Sequence, residues 1–156
     1  MKRARIATVA IVCLLFCWSA FETARTFPNY LSYMNQLAAN HPRWWYLSDS
    51  NLEWGDNAKG LAAYLHARGE TRIRTAFLGD FFLLRPYGVE AVDLFTSAES
   101  EREKTRYVAI GAGSLNGSTM PGWPGDPQIV ATLDEFRRRR PEVVIGNSIY
   151  VYRMHN

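Results

Sequence analysis

The chain has 156 residues, 47% hydrophobic and 21% charged, a composition that excludes a disordered chain and suits one globular domain plus a targeting segment. Its formal net charge of +3 is concentrated in Lys2, Arg3 and Arg5 at the start and in the Arg137, Arg138, Arg139, Arg140 run near the end. Without those clusters the chain is slightly acidic, which excludes a broad basic face for nucleic acid.

Residues 6–21 carry no charge. As a helix they would span about 24 Å, against a hydrocarbon core of about 30 Å. That length fits both a short membrane anchor and the core of a cleaved signal. A small-x-small cleavage site is missing, because Trp18 lies two before Ala20 and Glu22 two before Ala24. Val12 and Phe16 precede Cys13 and Cys17 where a lipid-modified cysteine would want a small residue. The reading favoured is an uncleaved single-pass anchor over residues 1–25. The basic start places the N-terminus in the cytoplasm and the rest of the chain outside it, with the lipid bilayer as a partner.

Residues 26–42 come next as a juxtamembrane amphipathic helix, with Tyr30, Leu31, Met34 and Leu37 on one face. Lying in the membrane interface and packing on the domain are both compatible with that face. The remainder, 43–156, reads as an α/β domain. Residues 43–48 are β-prone, Asp49-Ser50-Asn51 offers capping side chains, and Trp54, Ala58, Leu61 and Leu65 mark a helix to residue 68, closed by Gly69. A strand over 73–78 completes a strand–helix–strand unit, the signature of a parallel pair.

Further strands are expected over 89–95 and 106–110, with a charged, solvated loop over 97–104 between them. The glycine- and proline-rich stretch 111–125 reads as an irregular loop. Asp126-Pro127 opens a helix to residue 140 with Ile129, Val130, Leu133 and Phe136 on its buried side. The arginines at its end suit either a solvated helix terminus or contact with anionic headgroups. Two last strands, 143–145 and 148–153, turn at Gly146-Asn147. The expected architecture is a mostly parallel sheet of about five strands with flanking helices, preceded by one transmembrane helix.

The turn over residues 49–55 joins an expected strand end to a helix start, where free backbone N–H groups favour an anion and where open α/β sheets bind ligands. Asp49, Ser50, Asn51, Glu53 and Trp54 are therefore the candidate ligand-binding residues, with Trp123 on the glycine-rich lip. The plainer alternative is that Asp49, Ser50 or Asn51 only caps the helix and Trp54 is core. No catalytic residue is expected, since nothing near the carboxylates is a nucleophile or a paired base. His41, His66 and His155 have no ligand spacing, so neither a metal site nor a cofactor is expected. Gly111-Ala112-Gly113 lacks the third glycine of a dinucleotide fingerprint, Asn116 standing in its place.

Three segments together resemble the C-terminal extracytoplasmic domain of phospholipid-carrier-dependent membrane glycosyltransferases, the protein O-mannosyltransferase and aminoarabinose transferase kind. They are F-P-N-Y-L-S-Y-M-N-Q-L-A from Phe27, D-S-N-L-E-W-G from Asp49, and the ending from Pro141 to Arg153. The second is similar to the family's D-S-N-x-D-W-G-Q-D, with Glu53 for its aspartate and Asp56-Asn57 for its Gln-Asp. A weaker fourth match runs from Val108 to Gly117. The resemblance implies a domain that supports glycosyl transfer from a polyprenyl-phosphate sugar. The family's catalytic acidic residues, on the first outer loop of a multi-span membrane domain, have no counterpart here. Residues 6–21 would then correspond to the family's last membrane helix. A multi-span transferase partner and a lipid-linked sugar or glycan ligand are implied. A split or truncated piece of such an enzyme, and an unrelated envelope binding protein, are the alternatives.

Overall fold

A computed structural model describes residues 2–34, 41–46, 54–117 and 126–154. Helix α1 (Lys2–Thr26) begins among the basic residues and runs past the uncharged stretch, so its 25 residues reach about 37 Å. It is long and apolar enough to cross a membrane. Residues 27–34 form turns rather than the expected helix, and the part of that element beyond residue 34 is outside the described residues until His41. Glu22, near the end of α1, is buried and lines a small cavity with Tyr30 and Tyr33 of these turns.

Beyond α1 the chain folds into a five-stranded sheet with helices on both faces. Its strands are β1 (Arg72–Ala76), β2 (Glu90–Asp93), β3 (Tyr107–Gly111), β4 (Val143–Ile145) and β5 (Ile149–Arg153), in spatial order β2-β1-β3-β5-β4. The sheet is mixed, not mostly parallel. β2, β1 and β3 are parallel, whereas β5 runs antiparallel to both β3 and β4. Two local facts account for the difference. Arg43–Tyr46, expected in the first parallel strand, is a helical turn, α2. The tight turn at Gly146-Asn147 can only join antiparallel neighbours.

On one face, Ala58, Leu61, Ala62 and Leu65 of α3 (Ala58–His66) pack on Ile73, Tyr107, Ala109, Ile149 and Val151. Leu84 of α4 (Asp80–Leu84) closes the same layer. On the other face, Leu115 of α6 (Ala112–Asn116) and Leu133 and Phe136 of α7 (Pro127–Arg138) cover Val108, Ile110, Tyr150 and Tyr152. The strand residues alternate between the two layers, as a period of two requires.

Several boundaries shift. α3 starts at Ala58, not Trp54, with Asn57 at its N-cap position, and the expected capping residues 49–51 lie outside the described residues. Asp126 does cap α7, its carboxylate accepting from the Gln128 N–H at 2.8 Å. The expected loop 97–104 contains the short helix α5 (Glu99–Glu103), and the glycine-rich stretch opens as α6. α4 and the 3-10 turn Arg85–Tyr87 carry the chain from β1 to β2, a crossover with no counterpart in the expected element order. Gly69 has φ +72 and closes α3 as expected.

Candidate functional site

The hairpin turn between β4 and β5 organises the site. Gly146 and Asn147 have φ of 56° and 65°, both left-handed, and the Ser148 N–H donates to the Ile145 carbonyl at 3.1 Å. That is the two-residue turn whose twist matches paired strands, and it needs glycine or asparagine at both central positions. Segments far apart in sequence meet there. The Ser32 hydroxyl donates to the Gly146 carbonyl at 2.9 Å. The Asn57 amide donates to Ser148 Oγ at 2.9 Å and reaches the Gly146 carbonyl at 3.5 Å. The Ala112 N–H donates to the Ser148 carbonyl at 2.7 Å.

Beside this turn a groove of about 500 Å³ lies between the end of α1 and the sheet. Arg25 of α1, Arg43 of α2, and Arg137 and Arg139 at the end of α7 line it, together with Trp44, Asn147, Tyr150 and Tyr152. No carboxylate is among its described lining residues. Two of the cations are partly neutralised from outside: Arg137 by Asp134 at 2.6 Å and Arg139 by Glu135 at 3.2 Å. Arg137 also donates to the Leu115 carbonyl at 2.7 Å and stands over the Trp44 ring at 5.9 Å. Arg43 donates to the Ser32 carbonyl, tying the groove to the turns after α1. Among the described residues, neither Arg25 nor Arg43 has a carboxylate within ion-pair distance.

Burial lowers the Arg43 guanidinium's affinity for its proton, with the nearby Tyr150 opposing that shift. Arginine nonetheless stays charged, because its intrinsic affinity is so high. Burial pushes the Tyr150 phenol up, against hydrogen bonds from the Arg43 and Trp44 backbone that pull it down. Tyr150 is thus a neutral hydroxyl at neutral pH. Such a set of fixed cations, with aromatic faces and a phenol, can hold a phosphate and stack on a ring.

Of the residues singled out from sequence, Trp54 is described and is 61% exposed, so it is not core. Asp49, Ser50, Asn51, Glu53 and Trp123 lie outside the described residues. Immediately after Trp54, Gly55 has φ +77, and Asn57 reaches the hairpin turn whose Asn147 lines the groove. Sequence reasoning singles out the Arg137–Arg140 run but not Arg25, Arg43 or Tyr150. The signal in the sequence is Arg43 standing beside Trp44 and Trp45, which suits a strand equally well.

No family model matches the chain, and no curated protein or solved structure matches it. The glycosyltransferase resemblance thus rests on its four sequence segments.

Proposed function

We propose that this chain is a single-pass, membrane-anchored extracytoplasmic domain that holds the phosphate headgroup of a lipid-linked sugar. In this reading it supports glycosyl transfer by a multi-span partner and carries no catalytic group of its own. The observation that carries the reading is the arginine groove at the junction of α1 and the sheet, which has no carboxylate among its described lining residues. A polyprenyl phosphate has its charge at headgroup depth, where a groove beside the anchor's exit would meet it. Arginine suits that task better than lysine because its planar fork binds phosphate oxygens in pairs. The basic N-terminus supports a cytoplasmic start and an outer domain by charge bias.

The test uses the full chain in phosphatidylcholine vesicles containing either a polyprenyl phosphate or the matching polyprenol. Trp44 beside Arg43 makes tryptophan fluorescence the natural readout. The phosphate lipid should change the emission and the alcohol should not. An Arg43→Gln, Arg137→Gln double variant should lose the response. Equal responses to both lipids, or an unchanged response in the double variant, would remove the groove from the function.

A further inference from the structure

A second arginine site lies on the same sheet face, on the far side of α7. Arg74 is in the middle of β1, with Val92 and Val108 as its neighbours in register on β2 and β3. It is only 8% exposed, and its Nε has no hydrogen-bond partner among the described residues. It lines a cavity of about 450 Å³ between α7 and residues 94–96. Arg102 of α5 lines the same cavity and lies close enough to disfavour the Arg74 cation further, beyond the effect of burial.

The carboxylates near this cavity are engaged elsewhere. Glu101, beside Arg102, pairs with Arg72 and with Lys104. Glu90 pairs with Arg72 at 3.0 Å. Glu135 and Asp126 line the cavity, but Glu135 pairs with Arg139 and Asp126 caps α7. Asp93 accepts from the N–H groups of Phe95 and Thr96 and from the Thr96 hydroxyl. Arg74 and Arg102 are left without a carboxylate at ion-pair distance among the described residues. Burying an uncompensated guanidinium is unfavourable, and a second one beside it adds repulsion, so a bound anion would relieve both.

We infer that this cavity binds the phosphoryl group of a small ring-bearing solute, such as a sugar phosphate. Arg74 and Arg102 hold the oxyanion, and the Gln128 amide at the rim supplies a further donor. Thr132 and Thr96 already donate, to the Gln128 carbonyl and to Asp93, so their oxygens are left to accept from ligand hydroxyls. Leu94, Phe95, Ile129, Phe136 and Met154 form an apolar wall for the face of a ring. This site is independent of the lipid-phosphate groove and stands if that reading fails.

The experiment titrates isotope-labelled full chain in lipid nanodiscs with inorganic phosphate, glucose 1-phosphate and glucose, at constant ionic strength. Amide resonances of Thr96 and Gln128 should move with both phosphates, more tightly with glucose 1-phosphate, and not with glucose. Arg74→Met should weaken binding about tenfold or more, the size expected for losing a charge-assisted contact. Arg102→Gln and Arg74→Lys, which keep the cavity's shape or charge, serve if Arg74→Met does not fold. Arg43→Gln, in the other groove, should leave these shifts unchanged. Still resonances at Thr96 and Gln128 would overturn the inference. So would shifts that survive unweakened in Arg74→Met or, where that variant does not fold, in Arg102→Gln, or that move equally with glucose.

Discussion

Asn57, which stands at the N-cap of α3, does not cap that helix but donates to Ser148 Oγ at 2.9 Å, 91 positions away. The bond joins the helix on one face of the sheet to the hairpin at its edge. Gly146 makes the arrangement possible, because a Cβ there would collide with the Asn57 side-chain amide. Gly146→Ala should therefore destabilise by about 2 kcal/mol or more, combining left-handed strain with displacement of Asn57. Gly69→Ala, also at positive φ but facing open space, should cost only about 1 kcal/mol. Urea unfolding of both variants checks the difference; equal losses would mean that the Asn57 contact contributes nothing.

Asn57→Ala should cost about 1–2 kcal/mol, since it strands the buried Ser148 hydroxyl without its donor. A double variant with Ser148→Ala should lose less than the sum of the two single losses. Additive losses in the cycle would show that the two side chains do not interact.

Asp80 opens α4 and is 7% exposed, its carboxylate accepting from the Phe81 N–H at 2.8 Å. Burial raises its pKa above the ordinary 3.8 despite that bond. A carboxyl raised in the folded state binds its proton more tightly there than in the unfolded chain. This contribution to stability is full below about 3.8 and is lost as pH rises through the folded value. Asp80→Asn keeps an acceptor for Phe81 but cannot ionise. Its stability relative to the parent should climb as pH is raised from 3.8, and a pH-independent difference would contradict the assignment.

Membrane orientation is open to chemical labelling. With Cys13 and Cys17 changed to Ala, single cysteines at Lys2 and at the exposed Lys59 report the two ends. A membrane-impermeant maleimide added outside intact cells should label Lys59→Cys and spare Lys2→Cys. The reverse pattern would invert the proposed topology.

The elements legible in the sequence are those whose signals are local. β1, β3 and the last hairpin are short apolar runs bounded by glycines, and α7 has a capping aspartate, a proline and a helical stripe. Residues 43–46 read as a strand in sequence because Trp and Tyr favour strands. In the fold the Trp44 carbonyl accepts from Asn116 at 2.7 Å, which docks a helical turn on α6. The helix at 99–103 is hidden in sequence because its charged surface has no apolar stripe, and its Arg72 contact is made across the fold.

An apolar N-terminal helix with a basic start, an α/β domain behind it, and the hairpin turn at Gly146-Asn147 are all legible from local sequence. Each comes from hydrophobic run length, periodicity or the φ that a residue type permits. That the sheet is mixed emerges only from packing, because strand direction depends on where β5 lies beside β3. Packing likewise brings Arg25, Arg43, Arg137 and Arg139 to one groove and Arg74 and Arg102 to another. Sequence spacing carries no record of which charges meet, since each guanidinium's surroundings are supplied by residues distant along the chain.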